Sequence, residues 1–130
     1  MNSSDSLRIG KLCAAAFGIT LLTSCGSLGD TGAVKEANEL AITCKTDAAL
    51  RAVDRAAKGG GLGAHIADLQ RVVFLRDVGR LSEADAALAA RNARADADAE
   101  AAAKAERAVA KSVQDLRAER EKRMGRRVCS

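Results

Sequence analysis

The side chains able to do nucleophilic, ligating or redox chemistry near neutral pH are few in this 130-residue chain: Cys13, Cys25, Cys44, Cys129 and a single histidine, His65. A thiolate can accept an acyl or alkyl group, pair with a second cysteine, or bind a soft metal. Histidine can move a proton or ligate a metal, but catalysis also needs a partner convergent with it. His65 follows the glycine cluster Gly59, Gly60, Gly61 and Gly63, and the chain offers no nucleophile motif and no convergent carboxylate pair that can be argued from spacing. A helix-end or solvent-exposed position is expected for it. The glycine cluster poses its own question, because glycine loops ahead of helices can cradle phosphates. No Lys-Ser/Thr pair follows it and no strand precedes it, so it reads as a turn between helices.

Among the cysteines, Cys25 has the most informative surroundings. Arg8 and Lys11 precede an uncharged apolar run of 11 residues, Leu12 to Leu22. A helix across a bilayer core takes about 20 residues, so this run is too short to span and has the length of a signal-peptide core. Directly after it come Leu22, Thr23, Ser24 and Cys25. This run resembles the lipobox of bacterial lipoproteins, in which a Leu and two small residues precede the modified cysteine. The resemblance covers the first 27 residues and implies three events. Diacylglycerol is attached to the Cys25 sulfur, signal peptidase II cuts between Ser24 and Cys25, and the new amine is open to acylation, with palmitate as an expected chain. Two or more acyl chains, at about 0.8 kcal/mol per buried methylene, give stable tethering without a transmembrane helix. In such lipoproteins an Asp after the lipidated cysteine favours inner-membrane retention, whereas Gly26 and Ser27 follow Cys25 here. The resemblance therefore implies the outer membrane, on the side facing the periplasm. The domain reading is residues 1–24 as signal peptide, 25–32 as lipidated N-terminus and linker, and 33–130 as a helical domain.

Removing the leader and lipidating Cys25 leaves Cys44 and Cys129. Two cysteines and His65 fall short of a Cys-rich metal site, and no metal or other cofactor is expected. An even pair in an exported protein reads as a disulfide, closing a loop of about 85 residues whose chain-entropy contribution is roughly 4 to 5 kcal/mol at most. Two alternatives stay open at this point: a bridge between two chains, which would make a homodimer, or two free thiols.

The elements that must position these residues are helices. Proline, Trp and Tyr are absent, only two Phe occur, and Ala, Arg, Glu, Lys and Leu dominate. From Ala33 to Lys58 the residues Val34, Ala37, Ala41, Cys44 and Ala48 recur at helical spacing, with Leu50, Val53 and Ala57 behind them. Thr46 and Asp47 offer a fresh N-cap, so this stretch is either one kinked helix or two. A second helix over about Ala64–Val78 carries the most apolar run, Val72 to Leu75, with Ile66 and Leu69 ahead of it. Gly79 reads as its C-cap, and Ser82 with Asp85 matches a capping box for the next helix. Gly79 to Ala84 also resembles the turn of a tetratricopeptide repeat, which implies a helical hairpin.

No glycine or proline interrupts Ser82 to Met124, a stretch of 43 residues that would make a rod of about 65 Å. Leu81, Leu88, Ala95, Ala102, Val109 and Leu116 fall seven apart in a coiled-coil-like seam. A straight rod would carry Cys129 far from Cys44, and a disulfide needs Cα atoms within about 7 Å. A turn at Asn92 to Asp98 resolves the conflict. The expected fold is all-α: an up-down bundle of three to four helices with a long C-terminal helical region, bridged by Cys44 and Cys129.

The net charge of +4 is interspersed with carboxylates, and aromatic residues able to stack a base are nearly absent, so a nucleic-acid partner is not expected. Basic residues gather at Arg117, Arg120, Lys122, Arg123, Arg126 and Arg127. They form a candidate surface for an acidic partner, for anionic lipid headgroups or for carboxylates of peptidoglycan. The expected function is a membrane-anchored, non-enzymatic helical adaptor or accessory subunit that binds an envelope protein partner. The alternative is a structural envelope spacer similar to murein lipoprotein, although the C-terminal Val128-Cys129-Ser130 lacks that family's wall-linking lysine.

Overall fold

Strong helix formers without proline leave the chain few places to turn, and glycine or a left-handed residue marks most of them. The computed structural model describes residues 32–130. Its elements are α1 (32–42), α2 (Thr46–Lys58), α3 (Gly61–Asp77), α4 (Leu81–Arg94) and α5 (Ala99–Met124). The described residues are all-helical, and the count is five helices where three to four were expected. The Ala33–Lys58 stretch is two helices, because Cys44 turns left-handed at φ 62°. There the Cys44 N–H donates to Ala41 O at 3.1 Å and the Lys45 N–H to Leu40 O at 2.8 Å, which closes a Schellman turn. The same turn recurs at Gly79, with Arg80 N–H on Leu75 O, and at Asp96, with Ala97 N–H on Asn92 O.

The Asp96 turn divides the 43-residue stretch within the expected Asn92–Asp98 window. It also breaks the heptad seam: Leu88, Val109 and Leu116 are buried, whereas Leu81 is 58% exposed and Ala95 lies outside the core. The capping box at Ser82 is not used, since Arg80 is the N-cap and no side chain caps that end. The side-chain cap that does form is Asp98 Oδ1, which accepts from the Ala101 N–H at 2.8 Å.

Short turns make successive helices antiparallel, so α1, α3 and α5 finish at one end of the bundle and α2 and α4 at the other. Helix α3 is central, packing against α2, α4 and α5. Its four consecutive residues Val72, Val73, Phe74 and Leu75 are all buried, as expected of a helix enclosed on every side. Around it the partners bury mostly small side chains, among them Ala37, Ala49, Ala52, Ala84 and Ala105. Little area is buried per contact, so polar and covalent links carry a larger share of the stability.

Candidate functional site

Along α5 the buried residues Val109, Val113 and Leu116 recur at spacings of four and three, and the next step on the same stripe is Arg120. Periodicity thus turns a guanidinium into the core. Arg120 is 0% exposed, and it meets Asp77, the buried last residue of α3. Arg120 Nη2 donates to Asp77 Oδ2 at 2.5 Å and to Ala41 O at 2.9 Å. Its Nη1 donates to Asp77 Oδ1 at 3.2 Å and to Arg127 O at 2.7 Å, and its Nε to Ile42 O at 3.2 Å. Five acceptors meet the five N–H donors of a guanidinium, so none is left unsatisfied.

Arg117 adds a second cation, its Nε donating to Asp77 Oδ1 and its Nη2 to Asp77 O, each at 3.0 Å. Two guanidiniums thus share one carboxylate. The excess positive charge faces the last carbonyls of α1 and the Arg127 carbonyl, and the negative end of a helix dipole suits a cation.

The disulfide continues this arrangement. Cys44 and Cys129 are joined with a Cα–Cα distance of 5.5 Å, closing the pair within one chain. Arg120 ties Ile42 to Arg127, and the bridge ties Cys44 to Cys129, two residues further along each segment. The same two stretches of chain are therefore clamped twice, once by charge-assisted hydrogen bonds and once covalently.

The basic run expected as one surface is divided by the fold. Arg120 is removed from it altogether, and Arg117 is turned partly inward onto Asp77. Arg123 pairs with Glu39 of α1 and with Glu119, each at 2.6 Å, and Arg127 pairs with Glu121 at 2.6 Å. Hydrogen bonding to Arg123 holds the Glu119 carboxyl below the usual carboxylate range. Lys122 and Arg126 are exposed and make no ion pair among the described residues. The surface that remains from the set is two lysine or arginine heads with two salt-bridged neighbours. The signal that would have separated Arg120 beforehand is its register with Val113 and Leu116.

His65 lies exposed on the first turns of α3, beside the glycine turn, as expected. Cys25 and the Ser24–Cys25 cleavage position lie outside the described residues. Among the described residues no helix is long and apolar enough to cross a membrane, and no group of three or more His, Cys, Asp or Glu could hold a metal ion. No protein-family model matches the chain, and comparison with curated proteins and with solved structures gave no match.

Proposed function

We propose that this chain is a bacterial lipoprotein, tethered through Cys25 to the periplasmic face of the outer membrane, whose helical domain is an adaptor for an envelope protein partner. The observation that carries this reading is the Cys44–Cys129 bridge. Structural disulfides persist in oxidising compartments, and a cytosolic chain of this size would keep its thiols reduced. The bridge thus supports export, which the lipobox-like run before Cys25 implies on separate grounds. Six residues, 26–31, separate Cys25 from the first described residue of α1, a reach of at most about 25 Å over seven Cα–Cα steps, so the tether would hold the domain close to the headgroups.

The spacer reading drew on the lipobox-like run and the coiled-coil-like seam over the 43-residue stretch, which as a straight rod would run about 65 Å. The turn at Asp96 folds that rod back, and the longest helix, with its 26 residues, spans about 39 Å. A short bundle with a membrane tether suits presenting a surface better than holding two layers apart. On that surface, Lys122 and Arg126 are the members of the basic run left to meet an acidic partner, anionic headgroups or wall carboxylates.

The test is crosslinking and pull-down from membranes, comparing the lipidated protein with Cys25→Ala. The expected result is loss of the variant from the membrane fraction together with loss of the crosslinked partner. Identical partners and unchanged membrane fractionation in the variant would refute the tethered-adaptor reading.

A further inference from the structure

Helices α3 and α5 leave a groove open along one side of the bundle, and three adjoining cavities of about 290, 120 and 290 Å³ line up in it from the disulfide end upward. On α5 the groove runs from Leu116 back to Ala101, about 22 Å at 1.5 Å per residue. The room comes from residue size: Ala101, Ala105, Ala108 and Ser112 recur on α5 at spacings of four and three, opposite the larger Leu69 and Val73 of α3. Helix α1 borders only the lowest cavity, through Asn38 and Ile42. Above it the apolar stripe of α3 continues into solvent, with Ile66 36% exposed and Leu62, one turn earlier, 75% exposed. Among the described residues no carboxylate lines the two upper cavities, whose charged members are Arg91 and Lys104.

The tether leaves the bundle on this side. Arg120 donates both to Asp77 and to Ile42 O, so α1 and α3 finish level with each other. Gly32, ten residues before Ile42, therefore stands about 15 Å up the bundle, level with Ala67 and beside the height of Ile66. Asn38 borders the same groove, which sets that exit next to the exposed stripe. Seven Cα–Cα steps lead from Gly32 back to Cys25, at most about 25 Å away. An acylated Cys25 thus brings a bilayer within reach of Leu62 and Ile66, and an apolar face that enters the headgroup boundary removes its area from water. Basic side chains at the rim suit lipid phosphates, and a lining without carboxylates offers no repulsion to an anionic surface.

From this we infer that the upper α3–α5 face is a membrane-docking surface: Leu62 and Ile66 enter the interfacial layer of the bilayer that holds Cys25, and Lys104 meets its phosphates. The inference rests on the tethered-lipoprotein reading and extends it by fixing which face meets lipid. With that face on the bilayer, the disulfide end is turned away from it. Lys122 and Arg126 are then presented to an acidic protein partner and not to headgroups.

The chain has no Trp, so a single substitution places one fluorophore at a chosen point. Leu62→Trp and Ile66→Trp report the docking face, and Leu81→Trp, at a leucine 58% exposed at the disulfide end, reports the opposite one. All three side chains reach solvent, and an unchanged melting temperature checks that packing is intact. The full lipidated chain is placed in nanodiscs whose phospholipid chains are brominated, and mass spectrometry of the same sample checks for diacylglycerol on Cys25. With a face buried about 5 to 10 Å into the boundary, emission from Leu62→Trp and Ile66→Trp should fall at least about twofold relative to unbrominated discs, while Leu81→Trp keeps its emission. Adding Lys104→Glu to Leu62→Trp should restore part of the lost emission in discs containing phosphatidylglycerol. Equal quenching at all three positions, quenching at Leu81→Trp alone, or none at any of them in a chain with lipidated Cys25 would overturn the docking face and leave the tether standing. A blue shift of Leu62→Trp without quenching, growing with protein concentration, would give the groove to a second copy of the chain and overturn it as well. An unmodified Cys25 in protein recovered from membranes would refute the tether and this inference together.

Discussion

Where α1, α3 and α5 finish, Arg120 is sealed from solvent with all its N–H groups matched; where α2 and α4 finish, Arg91 lines an open cavity with its Nε unmatched. The two arginines sit on similar alanine-rich helices, so residue type does not explain the difference. What differs is which helix ends meet there. The first end gathers the carbonyl termini of three helices and the Asp77 carboxylate, an environment that can bury a cation. The second gathers two carbonyl termini with the starts of α3 and α5, and Asp98 caps only the latter. One end is therefore built for holding the fold closed, and the other is left with unspent donors.

The locked end should dominate stability. Replacing Cys44 and Cys129 by Ser should cost up to about 4 to 5 kcal/mol, read as a fall in urea midpoint with a denatured state that is less constrained. Arg120→Met should cost about 3 to 4 kcal/mol by the same measurement, because it leaves Asp77 to Arg117 alone and strands the last carbonyls of α1 in the core. Adding Asp77→Leu to Arg120→Met should recover part of that loss. If the two changes simply added, the pair would not be the unit that closes this end.

At the open end the effects are smaller and one has the opposite sign. Asp96 holds the α4–α5 turn at φ 48°, a conformation that glycine adopts without steric cost. Asp96→Gly should therefore raise stability by about 0.5 to 1 kcal/mol, seen as a higher melting temperature. No gain would mean that the Asp96 side chain does something the backbone angle does not record.

In the last turn of α3, Arg76 hydrogen-bonds Glu106 of α5 and Asp85 of α4, a cross-brace with solvent-exposed carboxylates. The hydrogen bond from Arg76 holds the Glu106 carboxyl below the usual carboxylate range. A depressed folded-state value means that the unfolded chain takes up the proton first, so this contribution is present at neutral pH and is lost as pH falls through the folded value. Exposure to solvent keeps the effect small. Urea midpoints measured from pH 7 downward should fall across the acidic carboxylate range, and Glu106→Gln should flatten part of that fall.

Much of this fold was readable because helix periodicity and the disulfide distance limit constrain each other. The alanine-rich stretch after Ser82 carries no glycine or proline to signal a turn, yet Cys44 and Cys129 could meet only if it folded back. The break at Cys44 was harder to read, because a left-handed cysteine has no composition signal; the bridge itself holds that residue. Arg120 was misplaced on the surface because a run of basic residues near a chain end suggests solvent. Its register with Val109, Val113 and Leu116 pointed inward, but Asp77 and the ends of α1 that make burial tolerable are distant in sequence. The seam places Arg91 at a would-be core position, but which of its nitrogens finds no acceptor could not be read from the sequence.

The most direct test is mass spectrometry of the protein isolated from its host's membranes, with the N-terminal peptide and the non-reduced digest read from one sample. The predicted result is an N-terminus at Cys25 carrying diacylglycerol, together with a peptide joining Cys44 to Cys129 in monomeric protein. An uncleaved leader with unmodified Cys25, and free thiols at Cys44 and Cys129, would contradict it.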